Sequence, residues 1–377
     1  MKAAFLSLGL ICSAPLMAQH SNFQQVFYQL EELPGFYNEF MEQYMYDVNQ
    51  NLNQSFFYNL QSNAEVMDTG EFSVGLLFGA GRIFPPNSVY SRKSPLYTND
   101  NLSFTGGRVP TIFNGVENGE IRFVFLDPTT GNPMVNPQNG ADVEFYLSTP
   151  PSFNSRYAYA GSAAISLGYG IGYGTEVRAY ITPKFGAALG SVSDELSATN
   201  DFAYGASVKH EITTWIPYLH SRGWHISADF AYSAFTANIR GKFVGDFDTE
   251  IAVEASPQYE ILASSSVEGI DYSIATTGGR FFIGKTFSWI ELSAYMGYLS
   301  NSYKMNSVGS ISATLRDKTG SNPDTNLELK DFANYSGNNT SLFYGASTTI
   351  GKGWARWTLA YTNNGDHYGS MGINFYF

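Results

Sequence analysis

Cysteine is all but absent. The single one, Cys12, lies in an N-terminal apolar stretch, and no other occurs in the 377 residues. Beyond that stretch a disulfide framework, a cysteine-ligated metal and a cysteine nucleophile are excluded. Ile11 precedes it where a lipid-anchoring signal needs a small residue, so no lipid anchor is expected. Charge is also scarce: 14% of residues carry it, with a net of -12. That sign disfavours nucleic acid as a partner. It leaves acidic outer loops and cation selectivity as its two readings. Long apolar runs are missing too, since nothing after the first eighteen residues approaches the roughly 20 residues of a transmembrane helix.

The first eighteen residues have their own pattern. Lys2 is followed by a largely apolar run to Ile11, then Ser13-Ala14-Pro15-Leu16-Met17-Ala18 before the polar Gln19. That is the order of a secretory signal peptide, residues 1–18, with cleavage expected after Ala18. The expected location is therefore outside the inner membrane.

What the chain has in plenty is aromatic rings and glycine: 26 Tyr, 29 Phe and 37 Gly. Mean hydropathy is only -0.16. An exported, ring-rich chain of modest hydropathy fits a transmembrane β-barrel, in which lipid-facing and lumen-facing residues alternate along every strand. From Glu71 onward the apolar period is indeed two: Phe72, Val74, Leu76, Phe78 and Ala80 alternate with Ser73, Gly75, Gly79 and Gly81. The pattern recurs near 157–171, 176–182, 202–212, 224–236, 272–286, 288–300, 342–350, 354–362 and 367–377. These ten runs, with a possible hairpin from 121–126 and 143–147, predict an all-β, antiparallel up-and-down transmembrane barrel. About 12 strands are expected, within 10–14.

The connections sort by length. Gly172-Tyr173-Gly174, Phe287 and Gly351-Lys352-Gly353 are short, and 213–223 is a longer amphipathic turn. Long polar links occupy 85–156, 186–201, 237–271 and 301–341. Short turns face the periplasm in outer-membrane barrels and long loops face outward. Both termini of the barrel domain, residues 66–377, then come out periplasmic. Ahead of it, residues 19–65 place Phe23, Val26, Phe27, Leu30, Phe36, Phe40, Tyr44 and Val48 three or four apart. Two short amphipathic helices broken at Pro34-Gly35 are expected there, as a plug in the lumen or a segment beneath it.

The last eight residues, SMGINFYF, place Met371, Ile373, Phe375 and Phe377 on one face. Gly372, Phe375 and the terminal Phe377 resemble the C-terminal strand signal read by the outer-membrane barrel assembly machinery. That machinery and outer-membrane lipid are the partners the pattern implies.

Parity along the strands assigns a lumen-facing set: Glu176, Arg178 and Tyr180, then Lys209 and Glu211, His225 and Asp229, Glu291 and Tyr295, and Arg356. Opposite charges on neighbouring strands either pair across a filled interior or line a selective pore. Arg280 and Lys285 have opposite parity, so one of them belongs at the membrane interface. His225, Ser227 and Asp229 share a face, but no nucleophile motif surrounds them and no enzyme is expected. Asp246, Asp248 and Glu250 alternate in a long link without the glycine and distal Glu of a calcium loop, so neither metal nor cofactor is expected.

Several segments carry a family resemblance. These are Phe56-Phe57-Tyr58-Asn59, residues 109–115 (VPTIFNG), Gly174 to Arg178 followed by Pro183-Lys184, and residues 205–217 (GASVKHEITTWIP). Together they resemble an uncharacterised family of Bacteroidetes outer-membrane barrels, known as a domain of unknown function. The resemblance implies a barrel with an N-terminal helical segment and brings no activity. Architecture alone is also similar to fatty-acid-transporter barrels, which implies a plugged lumen and a small, hydrophobic substrate. The expected function is a channel or transporter for small molecules, hydrophobic ones included; the alternative is a non-conducting structural or assembly barrel that binds partners through its loops and periplasmic helices.

Removing Phe377 deletes the last specified position of the terminal signal. The expected result is loss of most folded barrel from the outer-membrane fraction, read as loss of the heat-modifiable band on unheated gels.

Overall fold

A computed structural model describes residues 27–45, 49, 57–60, 62–82, 90–91, 102–104, 108–109, 120–127, 130–133, 135, 140, 142, 144–148, 159–182, 196–241, 249–252, 258–330 and 334–377. The signal peptide, Asp246, Asp248, Pro183-Lys184 and most of 85–156 lie outside them. Ten antiparallel strands close on themselves. They are β1 (Phe72–Arg82), β2 (Tyr159–Gly172), β3 (Thr175–Thr182), β4 (Leu196–Glu211), β5 (Trp224–Gly241), β6 (Gly269–Phe287), β7 (Ile290–Val308), β8 (Tyr335–Lys352), β9 (Ala355–Asn363) and β10 (His367–Tyr376). Each strand pairs with its sequence neighbour, and β1 pairs with β10 from Ser73 opposite Tyr376 to Gly81 opposite Tyr368. The seam is locked at the rim by reciprocal backbone bonds, Phe377 N–H to the Phe72 carbonyl at 2.8 Å and the reverse at 3.1 Å.

The barrel has ten strands where about twelve were expected. Residues 120–124 and 144–148 do pair as a hairpin, but with 102–104 in a separate three-stranded sheet. Periodicity reports that a segment is a strand; it carries no information on which sheet the strand joins.

The strands also run further than the sequence pattern suggested. β5 to β8 have 18 or 19 residues each, against the 9–11 that cross a bilayer. Parts of the expected links 186–201, 237–271 and 301–341 are therefore strand. Above β6 and β7 the ladder continues through Gly309, at φ +110°, into a four-stranded sheet of 249–252, 259–265, 311–317 and 325–329. At its tip Asp317 is clasped by the hydroxyl and amide of Thr319, by Asn322 and by Gln258. Burial opposes the charge, but these donors prevail and hold the carboxyl well below the ordinary aspartate range.

The opposite end has tight turns. Tyr173-Gly174, with φ of +54° and +73°, joins β2 to β3; both central residues in the left-handed region is the condition for a two-residue hairpin. Ser288-Trp289 closes β6 to β7 and Gly353-Trp354 closes β8 to β9. All five tryptophans, 215, 224, 289, 354 and 357, gather toward this end, and the outer face toward the other end carries exposed Tyr204, Tyr298, Tyr344 and Tyr361. Between Trp289 and Tyr298 the strand rises about 30 Å, or roughly 23 Å across the membrane at the usual barrel tilt. Exposed Leu, Ile, Val, Phe and Met fill that interval, the apolar band and aromatic girdles of a bilayer-spanning barrel.

Inside, the wall is fitted glycine to ring. Gly81 faces Tyr368, Gly297 faces Phe343, Gly337 faces Tyr303 and Gly345 faces Tyr295 directly across the ladder. In each pair a Cβ on the glycine would run into the partner ring. Glycine there lets a large ring lie flat across the neighbouring strand, which narrows the lumen without bending the sheet. Gly81→Ala is expected to lower stability by about 1–3 kcal/mol. Gly369→Ala, on the open outer face with nothing within 4 Å, leaves it unchanged; urea unfolding in detergent micelles separates the two.

Candidate functional site: the occupied lumen

The N-terminal segment enters the barrel. Instead of two helices broken at Pro34-Gly35, a 3-10 turn (Gln29–Glu32) leads into one helix, α1 (Leu33–Tyr44). Pro34 sits in its first turn, where the missing N–H has no partner to lose. Phe40, Met41 and Tyr44 are fully buried. The Asn38 side chain accepts the Asn334 amide just ahead of β8, which places α1 at the long-loop end. Further along, Asn49 donates to the Tyr335 hydroxyl at 3.0 Å and accepts from Tyr272 at 2.9 Å.

Residues 57–60 and 62–70 then descend the lumen to the short-turn end. Phe57 and Tyr58 form the upper layer against Phe343 and Tyr368, with Tyr58 centred 4.9 Å from each. Below them the contacts become polar, and they reach the descending chain through its backbone. Arg280 donates to the Leu60 carbonyl (3.4 Å), Ser347 to that of Ser62, Lys209 to that of Asn63 (3.0 Å) and Ser227 to that of Ala64 (2.8 Å). Three wall carboxylates take the amides: Glu291 from Ala64 (2.6 Å) and Glu65 (3.3 Å), Glu211 from Val66 (3.2 Å) and Glu176 from Met67 (3.0 Å). Arg356 holds the Glu65 side chain at 2.9 Å. The strap ends at the rim, where Gly70 N–H reaches the Gly170 carbonyl.

The sequence-assigned residues fall as follows. Glu176, Arg178, Tyr180, Lys209, Glu211, His225, Asp229, Glu291 and Tyr295 are buried on the inner face, and Arg356 is partly buried nearer the rim. Glu176 pairs with Arg178 at 2.9 Å and Lys209 at 3.2 Å. Tyr180 meets Ser207, and Tyr295 meets Thr362. Of the two residues of opposite parity, Arg280 faces in and forks onto Asp229 through Nε and Nη2. Lys285 lies over the Trp224 ring, 4.9 Å from its centroid, and near Phe287. His225, Ser227 and Asp229 do share a face, but each has a different partner: Glu211, the Ala64 carbonyl and Arg280.

Some partners were not legible beforehand. Ser227, Ser293 and Ser347 grip the strap or orient Glu291, yet serine is too common on an inner face to stand out. The strap itself is bound mainly by backbone atoms, so its side chains carry no signature. Glu291 makes no ion pair among the described residues; the two amides and Ser293 (2.5 Å) are its donors. A cleft in the lumen, between Asn59, Leu60 and the β9–β10 wall, has room for about a single water.

This geometry defines a class: a membrane-spanning β-barrel whose lumen is filled by its own N-terminal segment. Within that class, the chain belongs to a family of unknown function (DUF6588), whose model matches residues 1–377. No curated protein sequence matches it. Among solved structures it is similar to the translocator domain of the autotransporter NalP from Neisseria meningitidis, at 10% identity and a TM-score of 0.34, covering 90% of this chain and 98% of that one. It is also similar to Ail, the attachment invasion locus protein of Yersinia pestis, at 10% identity and 0.23, covering 82% and 99%. A third is the COG4313 outer membrane channel from Pseudomonas putida F1, at 8% and 0.26, covering 84% and 99%. Likenesses this distant carry no functional argument, and the barrel rests on its own closed strand pairing.

The Arg280 and Asp229 side chains are each about 1% exposed, so removing one leaves an uncompensated buried charge. Asp229→Ala is expected to cost about 3–5 kcal/mol. The double variant Asp229→Leu, Arg280→Met recovers most of that loss in the same urea titration.

Proposed function

We propose that the protein is an outer-membrane channel or transporter for small polar solutes, held shut by its own N-terminal segment. The observation that carries this reading is how the strap is held: wall carboxylates, Lys209, Arg280 and three serines bind its backbone. Such contacts exchange readily for water when the strap withdraws, because both sides are polar. The wall left behind carries Glu176, Glu211, Asp229 and Glu291 with Arg178, Lys209, Arg280 and Arg356, four of each sign. A lining of mixed charge suits small polar solutes rather than the hydrophobic ones suggested by architecture alone. We assign no enzymatic activity, since His225, Ser227 and Asp229 are committed to other partners.

The same reading sets orientation and biogenesis. Short turns face the periplasm, so the Phe377 rim is periplasmic and α1 lies at the outer end. Export by residues 1–18 and assembly through the terminal strand deliver it to outer-membrane lipid. The rival is the non-conducting barrel that binds partners through its loops, favoured by one observation: the Phe57–Tyr58 layer packs against Phe343 and Tyr368 as a solid core would.

A staple decides between them. A Cβ on Gly284 would lie 2.7 Å from that of Ala64, within about 1 Å of disulfide spacing, and no cysteine follows the signal region. Channel openings in planar bilayers are expected from wild type, are abolished in oxidised Ala64→Cys, Gly284→Cys, and return on reduction. Silence from wild type, from the reduced staple and from a variant lacking residues 19–65 overturns transport in favour of the closed barrel.

A further inference from the structure

The turn between β4 and β5 carries a feature the lumen reading does not use. A 3-10 turn (Ile212–Trp215) and a one-turn helix (Pro217–His220) fold the chain back over the short-turn rim. This brings His220 beside Glu211, the last residue of β4, and His225, the second residue of β5. Glu211 Oε1 lies 2.9 Å from His225 Nδ1 and 3.6 Å from His220 Nδ1. All three donor atoms fall within 4.8 Å of one another.

We propose that Glu211, His220 and His225 form a binding site for a divalent transition-metal ion of the zinc type at the periplasmic rim. Tetrahedral zinc with bonds of about 2.0–2.1 Å sets its ligand atoms roughly 3.3 Å apart. The two separations from Glu211 straddle that value and the imidazole nitrogens lie within 4.8 Å of each other, so rotation of His220 on its exposed turn closes the set around an ion. Two imidazoles and a carboxylate select zinc, cobalt, nickel or copper over magnesium or calcium, which prefer all-oxygen shells.

The surroundings fit as well. His225 Nε2 lies 3.0 Å from the Thr286 hydroxyl; donation there leaves Nδ1 with its lone pair toward the ion, the usual way a second partner orients a histidine ligand. Glu211 Oε1 sits at hydrogen-bond distance from Nδ1, so an ion bound there takes the place of any proton shared between them. Thr213 donates to Glu211 Oε1 at 2.5 Å and fixes the carboxylate. The Glu211 and His225 side chains are 3% and 8% exposed, whereas His220 is 53% exposed. The site is thus rigid on the wall side and open on the solvent side, where a water completes the shell. Its other carboxylate oxygen, Oε2, accepts the Val66 amide, so the ion ties the turn to the wall at a residue that also grips the strap. The assignment rests on these atoms alone and stands whether or not the barrel conducts.

The test uses tag-free, chelator-stripped, refolded mature protein titrated with Co2+, followed by displacement with Zn2+. Saturable 1:1 binding with visible d–d bands is expected, bleached by Zn2+. His220→Ala, a change in an exposed turn, is expected to weaken binding at least tenfold, while His367→Ala leaves it unchanged. As a check that needs no variant, Zn2+ should protect His220 of the wild-type protein from carbethoxylation, read by mass spectrometry. Absence of 1:1 binding, equal affinity in His220→Ala, or His220 modification unaffected by Zn2+ overturns the site.

Discussion

The structure turns on a set of buried carboxylates aimed at backbone amides. Glu291, Glu211 and Glu176 stand on β7, β4 and β3 and take the N–H groups of four consecutive residues, Ala64 to Met67. A bare carboxylate inside a narrow barrel costs several kcal/mol of lost hydration. Charge-assisted hydrogen bonds contribute about 1.5–3 kcal/mol each, so wall and strap satisfy one another in the closed lumen, apart from Glu291 Oε2, which has no hydrogen-bond partner among the described residues. Between Ser62 and Met67 the descending chain is irregular and joins no sheet, so its amides need these acceptors as much as the carboxylates need donors.

Around that interaction the lumen is layered. Phe57 and Tyr58 pack with Phe343 and Tyr368 nearer the outer end, where glycines opposite Phe343, Tyr368 and Tyr303 make room for the rings. Ion pairs and most strap contacts gather nearer the inner end, with the Phe282 and Tyr295 rings among them. The layering gives the two halves different characters. The ring layer resists separation because it has no polar substitute for its contacts, whereas the lower half exchanges its partners for water with little net loss. Any movement of the segment is therefore limited by Phe57 and Tyr58, and the proposed staple at Ala64 acts on the looser half.

The rim beside β4 links the lumen to the proposed ion site. Glu211 has one oxygen on the strap and the other toward His225 and His220. One residue thereby connects the lumen to the surface turn, by geometry that depends on the chain reversing between β4 and β5.

Sequence alone determined the barrel class and picked out the residues from Glu176 to Arg356 that the fold turns inward. The reason is that a strand's period of two is local: burial of alternate residues is written into every run, and Phe72 to Ala80 shows it without reference to any neighbour. The tertiary structure alone decided which sheet each strand joins, so that 120–124 and 144–148 left the barrel and ten strands remained. It alone decided that Pro34 begins a helix rather than breaking one, that residues 57–60 and 62–67 thread the lumen, and that His220 meets Glu211 and His225. Most of these depend on contacts between segments far apart in the chain and made largely through backbone atoms or common serines, and the histidine cluster depends on the fold of an irregular turn; neither leaves a period or a motif to read.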